Sequence, residues 1–166
     1  MNDPARLRAI TLFEELDERE LARVAGHCSF RTYPRNAPVM TEQDTTNDVF
    51  FVLSGTVRIN SHSTSGREVA YSDAGVGAVL GEFSAIDSRP RSTNVIALTE
   101  CHLARMSGRD FSTLVRTNPT VAFHLVEALV AKIRAMSERV FELSALAVGE
   151  RDRKSTRLNS SHTDIS

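Results

Sequence analysis

Between Ser29 and Ser107 the chain is cut into short runs rich in β-branched and aromatic residues, each closed by turn-forming residues. SFRTYP, APVM, DVFFVLS, TVRINS, EVAYS, TNVIAL and CHLARMS are separated by Pro34-Arg35-Asn36, by Gly55, by Ser65-Gly66 and by the stretch from Gly75 to Gly81. The joints are too short for crossover helices, so the pattern excludes a βαβ nucleotide-binding sheet. Seven or eight short strands at this spacing predict a sandwich, a jelly roll or a small barrel.

Helical periods flank the β region. Leu7 and Ile10, then Leu12, Phe13 and Leu16, predict short helices over Arg6 to Gly26, with Asp17 capping the last of them. This segment reads as a packing arm rather than as core. After Ser107, Arg109 to Arg116 predicts a short helix that stops near Asn118-Pro119, and the proline is suited to open the next one.

From there Val126, Leu129, Ile133, Met136, Val140, Leu143 and Ala147 fall at spacings of 3, 4, 3, 4, 3 and 4, a heptad seam. Branched residues alternate with Leu and Met along it, which favours a parallel two-stranded coiled coil and therefore a homodimer. The alternative is that the stripe packs on the chain's own β domain. A helix of roughly 30 residues, about 45 Å long, favours the dimer. The final stretch, KSTRLNSSHTDIS, has no period and is rich in Ser and Thr, so residues 154–166 are expected to be disordered and to lie outside the native fold.

Composition narrows the function. Within 166 residues, 20 basic side chains against 21 acidic ones leave a net charge of -1, so nothing global draws the chain to nucleic acid or an anionic membrane. No apolar run approaches the roughly 20 residues that span a bilayer, and MNDPARLRAI lacks the apolar core of a signal peptide. A cytoplasmic protein with no membrane partner is expected. Cys28 and Cys101 have no CxxC partner and read as buried small apolar residues. His27, His62, His102, His124 and His162 form no HxH or HExxH motif, and GxSxG is absent, so neither a metal site nor an enzyme is expected.

One insertion interrupts the β pattern: Leu80 to Asn94, LGEFSAIDSRPRSTN. Long loops on rigid scaffolds are where binding chemistry usually sits. Glu82 is an acceptor-only group suited to a pair of sugar hydroxyls, and Arg91 is a permanent cation whose planar fork suits a phosphate. Phe83 to Ile86 can form a helical turn with its N–H groups toward an anion, and Ser92 and Thr93 add hydroxyl and backbone donors. The alternative is a solvated Glu–Arg pair on a surface loop.

These segments resemble the phosphate-binding cassette of cyclic nucleotide-binding domains. Residues 7–153 as a whole are similar to the sensor half of bacterial CRP/FNR transcription regulators. The segments that carry the resemblance are FRTYPRNAPVMTEQD, DVFFVLSGTVRIN, GAVLGEFSAIDSRPRSTNVIALTECHLARMSGRDF and MSERVFELSALAVGER, in that order. The resemblance implies a double-stranded β-helix jelly roll, the cyclic nucleotide-binding β-roll, over residues 29–108. It would follow an N-terminal helical segment (1–28) and precede a short helix plus a long dimerisation helix (109–153).

The resemblance also implies a site and a mechanism. Glu82 would accept from the ribose 2′-hydroxyl and Arg91 would pair with the cyclic phosphate. Ser92, with Thr93 beside it, and the amides of Gly81, Phe83 and Ser84 would complete the pocket. In the cyclic AMP receptor branch a Thr-Ser pair on the dimer helix contacts adenine. Here the aligned pair is Met136-Ser137, which leaves the base open between cyclic AMP, cyclic GMP and another effector.

The dimer interface would comprise Val126, Leu129, Ile133, Met136, Val140 and Leu143, and no cofactor beyond the cyclic nucleotide is implied. The family continues from a GER-type segment into a winged helix-turn-helix, whereas the match here stops after Arg153, so DNA binding is expected of a full-length parent and not of this chain alone. A same-fold sensor of redox state, haem or a small metabolite, or a ligand-free dimerisation module, is the alternative. Oxygen-sensing relatives carry an N-terminal cysteine cluster, and no cysteine precedes Cys28.

Overall fold

The computed structural model describes residues 3–162. Among the described residues eight strands form: β1 (Cys28–Tyr33), β2 (Pro38–Met40), β3 (Val49–Ser54), β4 (Val57–His62), β5 (Glu68–Ala74), β6 (Val79–Leu80), β7 (Asn94–Ala97) and β8 (Cys101–Met106). They make two four-stranded sheets, ordered β1-β8-β3-β6 and β2-β7-β4-β5, with every paired neighbour antiparallel. This is the expected jelly-roll β-roll.

VFFVLS of β3 explains how the layers stack. Phe50 and Val52 join Val57, Leu80, Val95 and Leu103 in the cluster between the sheets. Phe51 points the other way and meets Phe13 at 5.0 Å and Phe111 at 6.3 Å between ring centroids. An apolar run without alternation is what a strand covered on both faces requires. Gly55, at φ +86, makes the turn from β3 into β4, and a Cβ there would stand 2.3 Å from the Glu100 carbonyl oxygen. Only glycine fits that close approach.

The N-terminal segment departs from expectation. It forms two 3-10 turns, Pro4–Ala9 and Thr11–Phe13, and helix α1 (Glu18–Gly26). Leu7, Ile10, Leu12 and Phe13 have no solvent exposure, so the segment is core and not merely an arm laid against it. Phe51 is the reason, because its outward ring creates a second apolar layer that these residues close. Asp17 caps α1 as expected, its carboxylate accepting from the Glu20 amide at 2.8 Å while Glu20 accepts from the Asp17 amide.

Helix α2 (Glu82–Asp87) lies in the insertion, and α3 (Gly108–Thr117) follows β8 with Ser107 as its cap. Helix α4 (Pro119–His162) opens at the proline, with Asn118 Oδ1 accepting from the Val121 amide at 3.1 Å. The chain divides into one compact unit ending at His124 and a second beginning at Leu125.

The expected disorder from Lys154 is not found: α4 runs on to His162, and residues 163–166 lie outside the described residues. Neither Gly nor Pro interrupts 154–162, and the hydroxyls of Thr156 and Ser160 donate to the carbonyls of Asp152 and Arg157 at 2.9 and 3.0 Å. Polar composition alone does not break a helix when its side chains satisfy themselves on the preceding turn. Among the described residues no helix is long and apolar enough to cross a membrane.

Of the cysteines, Cys101 is fully buried in the core, as expected. Cys28 is half-buried, and burial together with the nearby Asp110 carboxylate pushes its thiol up to about 12.

Candidate functional site

Arg91 ties the insertion between β6 and β7 back on itself. Arg91 sits just before β7, and its Nη1 donates to the Gly81 carbonyl at 3.1 Å, tying the exit of the insertion to its entrance. Its Nη2 donates to the Asp48 carbonyl at 2.7 Å, which fastens the insertion to the start of β3. Gly81 permits the first contact. At φ +83 it holds a left-handed conformation, and a Cβ there would lie 2.5 Å from Arg91 Nη1. α2 begins at the next residue, over the turn expected for Phe83 to Ile86.

Burial separates the two readings of this loop. Glu82 is 4% exposed and Arg91 5%, so they are not a solvated surface pair. Desolvation weakens the guanidinium's hold on its proton, and the carboxylates of Asp48, Asp44 and Glu82 oppose that loss. A buried cation in a field of carboxylates remains charged at neutral pH, because arginine's proton affinity has ample reserve.

Two of its donors are spent on carbonyls, while Nε is buried and has no hydrogen-bond partner. A buried N–H without an acceptor is costly. An anion brought to this face would relieve that cost and receive a charge-assisted bond.

The remaining expected site residues fall into two groups. Ser84 is 3% exposed and packed in α2, whereas the Phe83 ring is 48% exposed, leaving only its backbone as a candidate ligand group. Ser92 is exposed and Thr93 half-buried, both directly after Arg91. Met136 and Ser137 are exposed on α4, in the other compact unit. Asp44 and Asp48 were not anticipated from sequence. The bond that Asp48 makes to Arg91 uses its carbonyl, which every residue carries, and leaves no mark in the sequence. Among the described residues no group of three or more His, Cys, Asp or Glu side chains is placed to hold a metal ion.

The chain has relatives among known proteins. Residues 30–118 match the family described as the cyclic nucleotide-binding domain. The Cyclic AMP receptor protein of Thermus thermophilus is 28% identical over 144 residues, covering 87% of this chain and 65% of that protein. The cAMP-activated global transcriptional regulator CRP of Haemophilus influenzae is 26% identical over 126 residues, covering 75% of this chain and 56% of that protein.

Among solved structures, the Thermus thermophilus Catabolite Activator Protein superposes with a TM-score of 0.71 at 28% identity, over 81% of this chain and 63% of that one. The chain thus spans between 56% and 65% of the length of these curated relatives.

Proposed function

Since the chain belongs to the family of cyclic nucleotide-binding domains, we propose that it senses a cyclic nucleotide through Glu82 and Arg91 and passes the binding energy to a dimer formed along α4. The observation that carries this reading is the buried guanidinium of Arg91, with one N–H lacking a partner, inside the same insertion as the buried carboxylate of Glu82. A ligand that is part anion and part diol suits that combination. A purely anionic one would meet the repulsion of Glu82, Asp44 and Asp48.

Arg91 would hold the cyclic phosphate and Glu82 the ribose 2′-hydroxyl. Ser92, Thr93 and the backbone of Gly81, Phe83 and Ser84 would supply the remaining donors. The relatives named for cyclic AMP make that nucleotide the first to test. Met136 stands where the resemblance expects a threonine, so cyclic GMP is tested beside it. Binding that favours one arrangement of the α4 pair over another shifts their populations by the difference in affinity. In a longer parent that shift would move a DNA-reading domain.

Displacement of a fluorescent cyclic nucleotide tests the site. Arg91→Ala is expected to weaken binding by about 2 kcal/mol, roughly 30-fold, the loss of a charge-assisted bond. Unchanged affinity in the folded variant would remove Arg91 from the site and with it the proposed function.

A further inference from the structure

Asp48 is gripped from two sides by two arginines. Its carbonyl accepts Nη2 of Arg91 at 2.7 Å. Its carboxylate accepts Nε of Arg105 at 2.7 Å and lies 2.5 Å from Nη2 of the same side chain. Arg105 is on β8, directly opposite Phe50 of β3, so it reaches diagonally to Asp48, the residue just before β3. The Asp48 side chain is 12% exposed and that of Arg105 41%.

A two-nitrogen grip on a nearly buried carboxylate fixes its rotamer, and the carbonyl of the same residue then has little freedom to turn. Of the carboxylates that attract Arg91, Asp48 is the strongest, ahead of Asp44 and Glu82. Its Oδ2 is held by both Nε and Nη2 of Arg105, and Arg91 donates to the carbonyl of the same residue.

We propose that Arg105 is a positioning residue for Arg91. By holding the Asp48 carboxylate, it directs the Asp48 carbonyl onto Nη2 and prevents that carboxylate from swinging to the partnerless Nε of Arg91. Without Arg105, Asp48 becomes a buried charge lacking its main partner, and the nearest cation is Arg91. An ion pair within the chain then occupies the fork that an incoming anion needs. This inference rests on the reading of Arg91 as the anion-binding group.

Cyclic nucleotide affinity is measured for wild type, Arg105→Met, Arg105→Lys and the double variant Arg105→Met with Asp48→Asn. Circular dichroism and thermal melting check that each is folded. Arg105→Met is expected to lose at least tenfold in affinity and Arg105→Lys clearly less. The double variant is expected to regain most of the loss, because the competing charge is gone. A merely structural role predicts no recovery when a second buried contact is removed. Wild-type affinity in folded Arg105→Met, or a double variant weaker than the single, would overturn the proposal.

The Nε–H resonance of Arg91 in the ligand-free chain, assigned by its loss in Arg91→Lys, gives a second readout. It is expected to move in Arg105→Met and to stay in place in Arg58→Met, whose arginine is bound to Asp73 on the other sheet. An unmoved resonance in Arg105→Met also overturns the proposal. If the wild-type chain binds no cyclic nucleotide while the resonance moves, the functional reading fails and the positioning contact stands.

Discussion

Gly81 concentrates the demands that the site places on single residues. It must adopt φ +83, give Arg91 room to reach its carbonyl, and stand within 2.7 Å of the Asp48 carbonyl oxygen, measured from where a Cβ would be. Gly81→Ala is therefore expected to destabilise the fold by more than about 1 kcal/mol in urea titration, since alanine is strained at positive φ and collides here as well. Loss of ligand affinity is expected with it.

At this scale the sequence was informative about chemistry and silent about backbone. Glu82 and Arg91 are readable as a carboxylate and a permanent cation in one long insertion, but Asp87 and Arg89 share it, and only burial tells the two pairs apart. The carbonyls of Gly81 and Asp48, which receive Arg91, are carried by every residue and leave no mark on composition. The grip of Arg105 on Asp48 joins two residues 57 apart in the chain, beyond the reach of any local pattern.

Among the elements, α4 carries the clearest consequence. Ile133, Met136, Val140 and Leu143 are each more than 60% exposed, a periodic apolar stripe on a helix that also exposes Phe141, Leu146 and Val148. Stripes of this kind gain stability by pairing. Sedimentation of the purified chain is expected to give the mass of a dimer, and Ile133→Glu combined with Val140→Glu is expected to give a monomer. A wild-type monomer would leave the seam without its proposed partner.

The helix was legible because a 3, 4 spacing of apolar residues repeats over several turns. The end of the helix was not, because Ser and Thr can leave a helix or donate back into it, and sequence does not choose between these. The N-terminal segment was misjudged for a different reason. Leu7, Ile10, Leu12 and Phe13 were recognised as apolar, but their depth depends on Phe51 facing away from the sheet interface, which a run as uniform as VFFVLS conceals.

For the molecule as a whole, that segment joins the stability of the first compact unit to the candidate site. Phe13 lies against Phe51 of β3, the strand that follows directly from Asp48, and Asp48 receives Arg91. Phe13→Ala is expected to cost about 3–5 kcal/mol in chemical denaturation. A cost below about 1 kcal/mol would return the segment to the status of a peripheral arm.

In the proposed function the buried Glu82 and Arg91 together read one ligand carrying both an anionic phosphate and a ribose hydroxyl. Calorimetric titration of the chain with cyclic AMP, cyclic GMP and the 2′-deoxy form of whichever binds is the decisive measurement. Saturable heat with at least one nucleotide is predicted, falling about tenfold or more in affinity when the 2′-hydroxyl that Glu82 would accept is removed. Folded protein that gives no heat with either nucleotide, or that binds the 2′-deoxy form equally well, would contradict it.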